Sequence, residues 1–76
     1  MEKTLADLPV GSMAKIAGFR KSYRQYRQKL ISMGLTPGIQ FMVTRVAPLG
    51  DPVEIEIRDY SLSLRKGEAE AIMVED

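Results

Sequence analysis

Tyr26-Arg27-Gln28-Lys29-Leu30-Ile31-Ser32-Met33-Gly34-Leu35-Thr36-Pro37-Gly38 reads as a basic helix that stops at a glycine and leaves through a proline–glycine turn. On a helical wheel Tyr23, Tyr26, Leu30 and Met33 share one stripe with Ile31 beside it, whereas Arg20, Arg24, Arg27 and Gln28 fall elsewhere. Such a stripe docks on a core. Gly34 suits the left-handed position just past a helix end, and Leu35 then becomes the apolar partner of Leu30. In Thr36-Pro37-Gly38-Ile39 the proline and glycine occupy the two central positions of a type II turn. Upstream, Ser22 with Gln25 three residues on has the spacing of an N-cap and capping box. The expected helix is short, about three turns.

Beyond this turn the period changes from helical to two. Ile39, Phe41 and Val43 alternate with Gln40, Met42 and Thr44, and the strand is expected to reach Ala47. Pro48-Leu49-Gly50-Asp51-Pro52 follows as a hairpin tip, because its prolines lack the N–H that a ladder needs. Val53, Ile55 and Ile57 alternate with Glu54, Glu56 and Arg58, the clearest half-buried strand in the chain. Leu62 and Leu64 alternate with Ser61, Ser63 and Arg65; residues 66–71 read as a turn or one helical turn; Ile72-Met73-Val74 supplies a last strand. Before the helix, residues 5–11 form an ordered turn with Leu5, Leu8 and Val10 available to clamp the core, and residues 14–19 a weakly alternating first strand ended near Gly18. The order predicts a mainly β domain over residues 1–76: a small, closed antiparallel barrel of about five strands with one short helix inserted after the first.

A chain of 76 residues has room for one such domain. It has neither cysteine nor histidine, which rules out disulfides and fits a reducing compartment. No run approaches a membrane span and no signal-peptide pattern opens the chain, so the expected location is the cytoplasm. The net charge of +1 hides a segregation. No acid lies between Leu8 and Gly50, against Lys15, Arg20, Lys21, Arg24, Arg27, Lys29 and Arg45, and from Asp51 onward acids dominate. Either the strands bring the halves together as cross-strand pairs, or the molecule has a positive and a negative side. The cluster from Arg20 to Lys29 has no acid near it in sequence.

Tyr26-Arg27-Gln28-Lys29-Leu30, Met33-Gly34-Leu35, Pro37-Gly38, Arg45-Val46-Ala47-Pro48-Leu49-Gly50-Asp51-Pro52 and Ser61-Leu62-Ser63-Leu64-Arg65-Lys66 together resemble the FeoA family, the small cytoplasmic component of bacterial ferrous iron transport. The Pro-Gly turn alone is weak; its combination with the Ala-Pro-Leu-Gly-Asp-Pro loop downstream is specific. The resemblance implies an SH3-like barrel, akin to the C-terminal domain of iron-dependent repressors. It also implies an accessory role beside a membrane ferrous transporter with a cytoplasmic GTPase domain. Arg20-Lys21-Ser22-Tyr23 departs from the family pattern in being more basic and poorer in proline.

Without His or Cys most nucleophile–base pairs are missing, and Ser61 and Ser63 read as outward strand positions, so no enzyme and no catalytic residue is expected. No glycine-rich phosphate loop is present, so no nucleotide cofactor is expected. Divalent iron favours imidazole, thiolate or convergent carboxylates. Glu54 with Glu56, and Glu68 with Glu70, read as solvated faces, and no metal site is assigned. Two surfaces are candidates for a protein partner. One is the hairpin tip Leu49, Gly50, Asp51 and Pro52, where prolines stiffen an apolar residue that either docks or folds back. The other is the basic helix face of Arg20, Arg24 and Arg27. Met33, Leu35 and Met42 are candidate borders of a groove at the hairpin tip, methionine being adaptable at contacts. The expected partner is the ferrous transporter's cytoplasmic face; self-association is left open. A barrel that binds nucleic acid is the rival, with nonspecific, salt-sensitive affinity. A detached regulatory domain of an iron-dependent repressor is disfavoured, since no helix-turn-helix segment accompanies it.

Overall fold

The computed structural model describes residues 3–58 and 60–75. Five antiparallel strands, β1 (Met13–Phe19), β2 (Gln40–Val46), β3 (Val53–Ile57), β4 (Tyr60–Leu64) and β5 (Ile72–Glu75), form one sheet in the order β4-β3-β2-β1-β5. Helix α1 (Arg24–Ser32) lies between β1 and β2, and the short helix α2 (Lys66–Glu70) between β4 and β5. β1 serves two neighbours. Its first half pairs with β2 through Met13↔Met42 and Lys15↔Gln40, and its second half with β5 through Gly18↔Met73 and Phe19↔Ile72. A bulge between Ile16 and Gly18 bends the strand where the hand-over occurs, the usual device for curling a small sheet.

The period-2 reading places the core correctly. Val53, Ile55 and Ile57 are buried, as are Ala14 and Ile16 on β1, Phe41 and Val43 on β2 and Leu64 on β4. Alternation in β2 fails after Val43, because a second bulge lies between Val43 and Arg45 and leaves Thr44 and Arg45 both exposed. Among the described residues the ladder does not close as expected but ends at β4 and β5. The connection between these two edges, with Ala69, Ala71 and Ile72 buried, packs against the 3₁₀ turn Leu5–Asp7. Leu5 and Leu8 are buried there, and the Thr4↔Met73 bridge covers the outer edge of β5. Val10 does not clamp the core as expected: it is an exposed side chain at a turn preceding Gly11, whose backbone N–H reaches Val43 O.

The end of α1 follows its sequence closely. Gly34, at φ +92°, donates to Ile31 O, and Leu35 N–H donates to Leu30 O, each at 3.0 Å, while Leu30 and Leu35 are both fully buried. This is the Schellman pattern, which satisfies two carbonyls that the helix end leaves open. Ile39 N–H then closes on Thr36 O across Gly38, as a type II turn requires. The start of the helix differs from expectation. Ser22 caps nothing: it lies inside a 3₁₀ turn, Lys21–Tyr23, and α1 begins at Arg24 with no side-chain cap. The reason is tertiary. Arg20 N–H is already bonded to Ala71 O at 2.9 Å, which anchors the chain to the end of α2 just before β5 and leaves Tyr23 N–H to close on Arg20 O.

Candidate functional site

The hairpin tip and the basic helix face are separate surfaces. Leu49 is 89% exposed, so it does not fold back on the barrel. Gly50, at φ +79°, turns the tip, and its N–H donates to Ala47 O. Asp51 points away from the tip: its Oδ1 accepts from Lys66 N–H at 3.2 Å and faces Arg65 Nε at 3.4 Å. It therefore ties the β2–β3 loop to the start of α2, and Pro52 is half-buried beside it. Of the four loop residues, Leu49 is the one whose side chain is presented outward in full.

The second surface is a cleft where β1 meets α1. Phe19, Arg20, Lys21, Arg24, Arg27 and Ile31 line it, with Gly18 and Pro37 at its margins. Arg24, Arg27 and Ile31 fall on one side of α1 because their spacing of three and four residues matches the helical repeat. Arg20 lies over the Tyr23 ring at 5.1 Å, and the Tyr23 and Tyr26 rings stack with centroids 6.1 Å apart. The three expected arginines thus do meet in one place. None of residues 49–52 lines the cleft, so tip and cleft do not form a single site. Leu35, expected at a groove border, is fully buried core, and Met42 lies in a different depression with Lys15, Gln40 and Glu56.

Lys29 is not part of the positive surface. Its Nζ pairs with Glu68 Oε2 at 2.5 Å, and Glu68 is 4% exposed, so the carboxylate read as solvated is instead buried. Burial pushes the Glu68 carboxyl up, but a hydrogen bond from Lys29, one from Arg65 N–H and the charges of both residues outweigh it, so its pKa lies below the usual value. Tyr26 completes this contact on the same side of α1, its hydroxyl end lying over Gly67, where a Cβ would come within 2.9 Å. α1 therefore has one flank neutralised against α2 and another left cationic at the cleft. Nothing local in the sequence signals the Lys29–Glu68 pair; the two residues lie far apart along the chain and meet only through the tertiary fold.

Glu68 is thus unavailable to a cation, which removes one of the two carboxylate pairs considered for iron. Among the described residues no three His, Cys, Asp or Glu side chains gather as a ligand set. No helix among them is long and apolar enough to cross a membrane.

A model of the FeoA domain matches residues 3–76. The chain belongs to the FeoA family. It is 37% identical over 71 residues to an Fe(2+) transport protein A/Fe(2+) transporter FeoB fusion protein of Porphyromonas gingivalis, a match covering 93% of this chain and 8% of that protein. The FeoA-like protein of Clostridium acetobutylicum has the same fold, with TM-score 0.85 and 38% identity over 99% of this chain and 88% of that one. FeoA of Stenotrophomonas maltophilia, solved with zinc and described as a prokaryotic SH3 domain protein, superposes with TM-score 0.81 at 21% identity, covering 96% and 89%. The architecture is therefore SH3-like, and the family is one of ferrous iron transport. The chain spans only a small part of the fusion relative, so the activity of that whole protein is not carried over with the match.

Proposed function

We propose that this FeoA-family chain is a non-enzymatic accessory module that docks on the cytoplasmic part of a membrane Fe²⁺ transporter of FeoB type and modulates uptake. One observation carries this reading: in the Porphyromonas gingivalis relative the matched segment and a named FeoB transporter share one polypeptide. Joining two parts in one chain raises their effective concentration to about the millimolar range and favours pairs that act together. In this reading the chain works at the inner face of the cytoplasmic membrane, held there by its partner. Iron is the transporter's cargo and is not bound by the module.

The contacts assigned are the hairpin tip, with Leu49 as the apolar anchor flanked by Gly50, Asp51 and Pro52, and the cleft arginines Arg20, Arg24 and Arg27. An apolar side chain on a proline-stiffened tip loses little freedom on docking. Leu49→Asp tests the tip. Since Leu49 packs on nothing, the variant folds as the parent does, while co-purification with the transporter and ferrous uptake in cells lacking the native protein both fall. Unchanged co-purification removes the tip from the interface, and uptake indifferent to deletion of the whole protein overturns the function.

A further inference from the structure

We infer that the cleft between the end of β1 and α1 is a receptor for an acidic, leucine-bearing segment of a protein partner. The inference deepens the docking reading and relies on it only for which protein carries the segment. Lys21, Arg24 and Arg27 are exposed and take part in no ion pair among the described residues. No acid is among the residues lining the cleft. The contrast with Lys29 on the same helix is informative, because that cation is supplied with its own buried carboxylate. Lys21, Arg24 and Arg27 also flank the start of α1, the positive end of the helix dipole, where no acid and no side-chain cap offset them. No carboxylate of the described fold is set against them, so their charge is open to an acidic group on a partner.

The floor of the cleft narrows the chemistry. Phe19 and Ile31 are half-buried and open onto it, and Pro37 stands exposed at its margin, so an apolar side chain finds surface between the cations. A phosphate or bare polyanion uses the charges and leaves that floor wet. An extended or helical segment can engage the cations and cover the apolar floor at once. Arg24 and Arg27 lie one helical turn apart, so two carboxylates about 5–6 Å apart meet both, and a leucine-sized group between them covers Phe19 and Ile31.

The test uses the full chain and short capped peptides: one alternating Glu and Leu, one with Gln in place of Glu, one of Glu alone. Amide shift titrations at low and high salt report affinity and place, and phosphatidylglycerol vesicles are run in parallel. The Glu–Leu peptide is expected to perturb Phe19, Lys21, Arg24, Arg27 and Ile31, to weaken as salt rises, and to lose about tenfold in affinity in the Arg24→Gln/Arg27→Gln variant. Both control peptides bind several-fold less tightly. Equal binding of the Glu-only peptide reduces the cleft to a charge patch and overturns the proposal, as do shifts that map elsewhere, or vesicle binding with the peptides silent. Circular dichroism melting confirms that the double variant, altered only at exposed positions, is folded. If the native chain co-purifies with the transporter yet ignores the Glu–Leu peptide, the cleft assignment falls and docking stands. If it takes the peptide but never associates with the transporter, the partner assignment falls and the cleft stands.

Discussion

Glu68 shows how one buried carboxylate organises a corner of the molecule. It accepts Arg65 N–H at 2.9 Å, closing the first turn of α2, and with its other oxygen holds Lys29 of α1. Its pKa is lowered by folding, so it binds its proton less readily in the folded chain than in the unfolded one. The stability this contributes is present above the unfolded value of about 4.3 and is lost as pH falls below it toward the folded value. Glu68→Gln keeps an acceptor for Arg65 N–H but not the ion pair; urea titrations between neutral and acidic pH are expected to show a shallower loss of stability than the parent. Glu68→Ala removes both interactions and costs about 1–2 kcal/mol. Gly34 makes a different demand. Its φ of +92° is one that side chains avoid, and a Cβ there would strike the Tyr60 hydroxyl, which donates to Met33 O. Gly34→Ala is expected to cost about 1–2 kcal/mol in chemical denaturation, with further loss from the displaced Tyr60 hydrogen bond. Gly34 was legible as a helix stop from its neighbours in sequence. The Tyr60 contact was not, since it joins residues far apart along the chain, as does Lys29 with Glu68.

At the scale of elements, several local signals match the structure: the alternation of β3, the Schellman end of α1, the type II turn and the single turn of α2. Ser22 and Gln25 have capping spacing, yet a long-range bond from Arg20 N–H to Ala71 O decides where the chain is held, and α1 starts at Arg24. The bulges in β1 and β2 escaped for the same reason, since register depends on both strands. For the candidate site, the sequence identified the arginines that meet at the cleft and the exposed Leu49, but not that Asp51 is spent on the α2 start. The N-terminal turn of α1 also carries a measurable conflict. Arg24, its first residue, sits at the positive dipole end with no acid nearby in that turn. Arg24→Glu is therefore expected to raise stability by about 0.3–1 kcal/mol in thermal or chemical denaturation, while weakening capture of the Glu–Leu peptide. A gain in stability bought by a loss of binding is the signature of a charge kept for contact. A variant that loses stability refutes the dipole argument.

For the whole molecule, the charge segregation seen along the chain resolves into two populations. On the sheet the basic and acidic halves are brought into register, Lys15 opposite Glu75 and Arg45 opposite Glu54, without either pair closing to an ion pair. At the cleft, Lys21, Arg24 and Arg27 remain grouped. Salt acts on the two in opposite senses. Screening weakens the longer-range attractions across the strands, each at the low end of about 0.2–1 kcal/mol, and relieves the repulsion among the grouped cleft cations. The native chain is thus expected to melt at nearly the same temperature across a range of sodium chloride concentrations. In Arg24→Gln/Arg27→Gln the repulsion is gone, and only the attractions are left to be screened. Its melting temperature should start higher than the parent's at low salt and fall as salt is added, so that the two curves converge. Parallel curves would mean that the cleft cations are too far apart, or too well hydrated, to repel one another. The shared counter-charge that an acidic segment provides would then count for less than the apolar floor of Phe19 and Ile31.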